Sequence, residues 1–314
     1  QRSTHWVMHS PLYHAEVSQG QRWVLANIPY FAEWQRFVLF WASSDLFHAM
    51  LKVDPEWTLP DVSLNAANHQ IRLKLIENIR RELEGREDLI AKCIPSYPPY
   101  GKRMLRDNHW FRTLRRPNVE LVTEGISHVD RHGIVTTDGA RHEADVIVLA
   151  TGFHAGKMLW PMTVRGRGGR VLSEQWGGDN PEAYLGIAVP NFPNLFLTLG
   201  PNTNLAHGGS LVFHIECQVK YIMQALRELI ESDSASLEVR KDIHDRYNAD
   251  LTKICSGMVW AHPGVENWYK NADNKVTITS PYRLVDYWSL PHSFNPSEYI
   301  AKPWSDSATK PPHV

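Results

Sequence analysis

Asp145-Val146-Ile147-Val148-Leu149-Ala150-Thr151-Gly152-Phe153 is the stretch on which the reading of the fold turns. An unbroken aliphatic run bounded by an aspartate and a Thr-Gly step is the pattern of a strand buried on both faces of a parallel sheet; a half-exposed strand would alternate. Ligands of such sheets gather at the carboxyl ends of the strands, which makes Thr151 and Gly152 cofactor-site candidates. The glycine lets a ligand approach the backbone closely, although helix–sheet packing asks for the same small residues.

On the N-terminal side, short β-runs are predicted at Val119–Val122, Ile126–Val129 and Ile134–Thr137, with Asp138-Gly139 as a type I′ hairpin turn. Residues 1–100 read as mainly helical. Pro29 is placed to begin a helix over Phe31–Met50, and Ile71, Leu75 and Ile79 mark the buried stripe of a second one ending near Gly85. The prolines of Ile94–Gly101 forbid helix and stiffen a loop that delivers Lys102 and Arg103.

On the C-terminal side a second unit repeats the plan: a strand at Leu195–Leu199, a loop at Gly200–Gly209, and Ser210 as the N-cap of a helix carrying Leu211, Ile215, Val219, Ile222 and Leu226. That loop offers free N–H groups and a positive helix end, to which Asn202, Thr203 and Asn204 add side-chain hydrogen bonds. A structural turn without a ligand fits the same local pattern. The Pro- and Ser-rich tail Pro291–Val314 reads as a loosely packed extension.

The 314 residues allow about two domains. With 33 Lys+Arg against 34 Asp+Glu, no global field draws the chain to nucleic acid or to a membrane surface. The longest apolar run, Phe37–Ala42, is far short of the ~20 residues a membrane span needs. Cys93, Cys217 and Cys255 form no C-x-x-C pair, which points to a reducing cytoplasm. The start, Gln1-Arg2-Ser3, carries neither an initiator methionine nor a signal-peptide pattern and reads as part of a longer chain. His128 and His132 flank a turn at Gly133 rather than share a helix face, so no metal site is expected, and Cys255 reads as a small buried hydrophobe.

Four segments, Tyr97-Pro98-Pro99-Tyr100-Gly101-Lys102-Arg103, Asp145–Phe153, Asn191-Phe192-Pro193-Asn194-Leu195-Phe196 and Gly200-Pro201-Asn202-Thr203-Asn204, together resemble the C-terminal half of the Baeyer–Villiger monooxygenases. Met104–Asn108 and Trp268-Tyr269-Lys270-Asn271 look closest to the 4-hydroxyacetophenone monooxygenase branch. The resemblance implies an α/β flavoprotein with two dinucleotide-binding, Rossmann-like domains and a helical insertion. It divides the chain into the end of the NADP-domain strand plus a helical subdomain (1–100), a second part of the NADP-binding domain (101–148), and the C-terminal part of the FAD-binding domain with an extension (149–314). It implies FAD and NADP as cofactors and O2 and a ketone, aryl ketones included, as substrates. The family's two Gly-rich fingerprints and its F-x-G-x-x-x-H-x-x-x-W motif are not in this sequence, since Gly166-Arg167-Gly168-Gly169 lacks the G-x-G-x-x-G spacing. The missing N-terminal half is therefore itself an expected partner.

Residue by residue, the resemblance assigns Arg103 the catalytic role: a fixed guanidinium stabilises negative charge where it develops on oxygen. Its acidic partner would lie in the missing half. Arg2, Ser3 and Lys102 match positions that hold NADPH, and their charge-assisted donors suit a 2′-phosphate. Trp268 matches a mobile loop over cofactor and substrate, or is a packed core tryptophan. Two other readings stand beside this one: a related N- or S-oxygenating flavin monooxygenase, and a noncatalytic nucleotide-binding or interaction fragment.

Overall fold

The computed structural model describes residues 1–10, 13–107 and 109–304. Along the chain run β1 (Val7–His9), α1 (Gln19–Asn27), α2 (Phe31–Phe40), α3 (Ala66–Glu82), α4 (Glu87–Cys93), β2 (Leu105–Asp107), α5 (Trp110–Leu114), β3 (Ile126–Asp130), β4 (Gly133–Thr136), β5 (Arg141–Glu143), α6 (Leu172–Gln175), α7 (Leu211–Glu231), β6 (Ser234–Val239), α8 (Lys241–Ser256), α9 (Leu284–Ser289) and β7 (Tyr299–Pro303). β1 and β2 pair in parallel, β3-β4-β5 form an antiparallel meander, and β6 pairs antiparallel with β7. Among the described residues no helix is long and apolar enough to cross a membrane. Asn108 and residues 305–314, which carry the end of the Met104–Asn108 motif and part of the expected tail, lie outside the described residues.

α3 organises the N-terminal half. Asn65 caps it by accepting from the Asn68 N–H, and its amide donates to the carbonyls of Ala49, Met50 and Lys52, tying the helix to the preceding turn. Leu75 and Ile79 face a core with Trp6, Val7, Leu83, Leu89 and Phe111, while Ile71 packs against this cluster and against a second one. The second cluster gathers Met50, Leu51, Tyr100, Ala206, Cys255, Trp260 and Tyr269 from distant parts of the chain. The helix expected over Phe31–Met50 keeps α-geometry only to Phe40, then widens to a π-turn over Trp41–Asp45 and tightens at His48–Leu51.

The structure corrects four local expectations. Residues 145–150 form no strand: Val146, Val148 and Leu149 are about 80% exposed, and Phe153 is 98% exposed. A strand needs a ladder partner for its N–H and C=O groups, and none of the described residues supplies one. Leu195–Leu199 makes a single bridge, Phe196 to Ala188, and Val119–Val122 is coil. At the β4–β5 turn only Gly139 has positive φ (86°), so the turn is not type I′; the Asp138 carboxylate holds it by accepting from Thr136 Oγ1 and the Ala140 N–H. Finally, α7 starts at Ser210 as expected, but its buried face carries His214, Cys217, Gln218, Tyr221 and Ala225, and Leu211, Val219 and Leu226 are exposed.

Candidate cofactor and active site

The proline loop is braced so that Lys102 and Arg103 leave it in defined directions. Trp6 Nε1 donates to the Tyr97 carbonyl (3.0 Å), the Tyr97 hydroxyl donates to the Thr4 carbonyl (2.9 Å), and Asn68 donates to the Pro99 carbonyl (3.1 Å). Asn267 donates to the Gly101 carbonyl (2.9 Å) from the other side. Prolines supply the stiffness; buried donors take up the carbonyls that helix or sheet would otherwise satisfy.

Lys102 points back to the N-terminal segment. Its ammonium donates to Ser3 Oγ (2.8 Å) and sits 5.1 Å from the centre of the Tyr97 ring. Burial holds its pKa below the ordinary lysine value; Glu266 opposes the shift and Arg2 reinforces it. Burial and then Lys102 lower the His5 pKa as well. Arg2, Ser3 and Lys102, separated by a hundred residues of chain, thus form one patch with excess positive charge and a hydroxyl.

Arg103 turns the opposite way, its Nη1 donating to the Leu205 carbonyl in the loop before α7. Among the described residues no carboxylate forms an ion pair with it. Its neighbours were not singled out from the sequence. His207 is 5% exposed, and both ring nitrogens lack a hydrogen-bond partner; burial, then His48 and Arg103, push its pKa down to about 4. His48, with its ring centre 6.0 Å away, is likewise held at about 4 by burial. The fully buried Tyr269 has an unpartnered hydroxyl; burial raises its pKa to about 12 while Arg103 pulls it down. One guanidinium thus stands among neutral imidazoles and a neutral phenol, a surrounding in which its field is poorly screened.

The loop 200–209 is held by its own polar groups. Asn202 is buried and donates to the carbonyls of Val276 (3.0 Å) and Thr279 (3.2 Å), and Thr203 Oγ1 donates to the Gly200 carbonyl (2.7 Å). His214 Nδ1 donates to the Thr203 carbonyl (2.8 Å), and its ring stacks on Tyr287 at 4.1 Å. Gln218 accepts from the Leu199 N–H (2.9 Å) and donates to the Tyr287 hydroxyl (2.7 Å). Of the three loop residues named from the sequence, Asn202 and Thr203 therefore spend their side chains on the loop itself. The half-buried Asn204 joins the fold through backbone bonds to Ile278 and Ser280 and makes no side-chain hydrogen bond.

Thr151 and Gly152 (φ 87°) lie on the exposed segment, with no hydrogen bond to this loop. Trp268 is 44% exposed and leans on Tyr269, with ring centres 4.4 Å apart. The structure thus brings Arg2, Ser3 and Lys102 together, joins Arg103 to the loop of Asn202–Asn204, and leaves Thr151 and Gly152 apart. His207 and His214 were legible only as members of A-H-G-G and of an i, i+4, i+7 row with Gln218 and Tyr221.

No family model matches the sequence. The chain is 39% identical over 307 residues to an uncharacterized monooxygenase, y4iD, of Sinorhizobium fredii, covering 98% of this chain and 46% of that protein. It is 37% identical over 194 residues to a Baeyer–Villiger monooxygenase of Pseudomonas aeruginosa, covering 62% of this chain and 36% of that one. In fold it matches an oxidized steroid monooxygenase bound to NADP, with a TM-score of 0.77 and 24% identity over 97% of this chain and 61% of that one. It also matches OTEMO in complex with FAD and NADP, with a TM-score of 0.74 and 20% identity over 96% of this chain and 61% of that one. In sequence and in fold, the chain is homologous to part of the Baeyer–Villiger-type flavin monooxygenases, spanning about half the length or less of these two curated relatives.

Proposed function

We propose that the chain forms part of an FAD- and NADPH-dependent monooxygenase that inserts one oxygen atom of O2 beside a ketone carbonyl to give an ester or lactone. The observation that carries this reading is Arg103, an unpaired guanidinium fastened to the Leu205 carbonyl beside orphaned polar atoms of His207 and Tyr269. Buried polar atoms without partners fit a site completed by a bound polar group, here the edge of a flavin. The Arg2, Ser3 and Lys102 patch fits the 2′-phosphate of NADPH.

When bound, the cofactors supply the electrons: NADPH reduces FAD, and reduced FAD activates O2, one atom going to product and the other leaving as water. This chain's residues do the rest. Lys102, with Arg2 and Ser3, orients the nicotinamide nucleotide. Arg103, held at Leu205, faces the oxygen on which negative charge develops and stabilises it where neutral neighbours leave it unscreened. His214 and Gln218 fix the backbone of the loop that carries Leu205. The proposal assigns the acidic partner of Arg103, and the turns that bind the cofactor pyrophosphates, to the part of such enzymes outside this chain. It assigns residues 1–100 and 101–148 to the NADP-binding side and 149–314 to the FAD-binding side, with a cytoplasmic location for the three reduced cysteines. Aryl ketones and the 4-hydroxyacetophenone branch are its finer part.

The test is Arg103→Ala in the chain complemented with the remaining portion of a monooxygenase relative. Ketone oxygenation is expected to fall by about 10²–10³ with flavin still bound. Product formation at the parent rate would overturn the assignment. Oxygenation of an amine or sulfide, with no ester from any ketone, would favour an N- or S-oxygenating enzyme instead.

A further inference from the structure

A second concave site lies between α6, the turn that follows it, Pro190-Asn191 and the first turns of α8, and shares no residue with the Arg103 site. Its volume is about 220 Å³. Most of its polar wall is already committed. Gln175 donates to the Pro190 carbonyl (3.2 Å) and accepts from Asn191 (3.0 Å), and Trp176 Nε1 donates to the Glu182 carbonyl (3.0 Å). Glu182 is ion-paired with Lys275, and Asp245 with Lys241.

Three lining groups are left over. His244, 6% exposed, has no partner for Nε2, and Asn180 has none for Oδ1. The exposed Arg170 guanidinium makes no side-chain hydrogen bond or ion pair, so the wall carries one unbalanced positive charge. The hydrogen-bond polarity of the other two is determined. His244 Nδ1 lies 3.0 Å from Asp245 Oδ1, and Lys241 and then His244 hold that carboxyl below its usual pKa. An ionised carboxylate only accepts, so Nδ1 carries the proton and Nε2 is left as an acceptor. The amide oxygen of Asn180 is an acceptor too.

We infer that this cavity binds a small polyhydroxylated carboxylate of the sugar-acid kind, its carboxylate on Arg170 and its hydroxyls donating to His244 Nε2 and Asn180 Oδ1. The charge matches Arg170 one to one, and two hydroxyl donors meet two buried acceptors that otherwise stay unpaired. Trp176 closes the floor.

The test uses the full 314-residue chain and saturation-transfer NMR, which reads the ligand and so tolerates a self-associating protein. Glycerate is the probe. Propionate keeps the carboxylate without hydroxyls, glycerol keeps hydroxyls without the carboxylate, and inorganic phosphate is a bare anion. Saturable glycerate binding is expected in about the millimolar range, with each of the other three about tenfold weaker or more. Arg170→Ala, at an exposed position that leaves the fold intact, is expected to erase the preference for glycerate over glycerol. Asn180→Ala is expected to erase much of the preference over propionate. No saturable glycerate signal from a chain with native circular dichroism, equal binding of phosphate, or indifference to Arg170→Ala would each overturn the proposal. None of these outcomes depends on flavin or on ketone oxygenation.

Discussion

Lys102 and Arg103 are neighbours in sequence with opposite neighbourhoods, and separate consequences follow from each. Lys102 meets Ser3 and feels Arg2, so in the complemented enzyme Lys102→Ala or Arg2→Ala is expected to weaken NADPH use about 10- to 150-fold while sparing NADH, the loss of one charged hydrogen bond to the extra phosphate. KM for the two cofactors checks it; equal losses would mean a general defect. The buried histidines set an acid limit. His48, His207 and His214 are held at about 4 against 6.5 for a free imidazole, so between these values the unfolded chain binds protons that the folded chain refuses. Stability is therefore complete above about pH 6.5 and is lost as pH falls toward 4, by roughly 3 kcal/mol per histidine at the limit. Urea midpoints from pH 7.5 to 5 are expected to fall steeply. Replacing one of the three by an untitratable residue, as in His207→Gln, is expected to flatten the slope by about one proton.

Among the elements, α3 was the most legible. Its stripe of Ile71, Leu75 and Ile79 answers to a local period of 3.6, and its packing on Trp6 and Phe111 rewards that period. In α7 the same arithmetic picked out Leu211, Val219 and Leu226, which are exposed, because the loop 200–209 lies on the face bearing His214 and Gln218 and needs their donors and acceptors. Hydrogen-bond demand of a neighbouring loop outweighed apolar patterning. That loop is packed closely against the chain: a Cβ at Gly208 would run into the Ser43 backbone carbonyl. Gly208→Ala is thus expected to cost about 1–3 kcal/mol and to move the loop that fastens Arg103. Thermal melts and the NMR signals of the His214 ring, which bonds the Thr203 carbonyl, would check both effects. An unchanged melting temperature and unshifted ring signals would show that the contact yields freely.

Over the whole molecule the largest unmet demand is apolar. Val146, Val148, Leu149 and Phe153 stand in solvent, as do Trp23, Trp34, Phe37 and Leu39 on α1 and α2, neither of which buries a residue. Soluble monomers rarely leave such surface open. Under the proposed function, the remaining half of the enzyme covers it and supplies the sheet that Asp145–Ala150 joins. The chain alone is therefore expected to bind a hydrophobic dye, to self-associate and to retain no flavin, and co-expression with that half is expected to reverse all three. Dye fluorescence, light scattering and flavin absorbance decide it; a monomeric, stoichiometrically yellow chain would refute the argument.

What the sequence determined by itself was local and compositional: the amphipathic stripe of α3, the stiff proline loop ending in Lys102-Arg103, the Ser210 cap, and motifs that pointed to the right enzyme family. Each depends on residues within a few turns of one another, where sterics and periodicity act alone. Tertiary structure alone decided that Lys102 meets Ser3, that Asn202 and Thr203 serve their own loop, and that His207 lies beside Arg103. It also left Asp145–Ala150 extended and exposed. The reason is the same in each case: hydrogen bonds and burial are satisfied by whatever the fold brings near, and a strand exists only where a neighbour accepts its backbone.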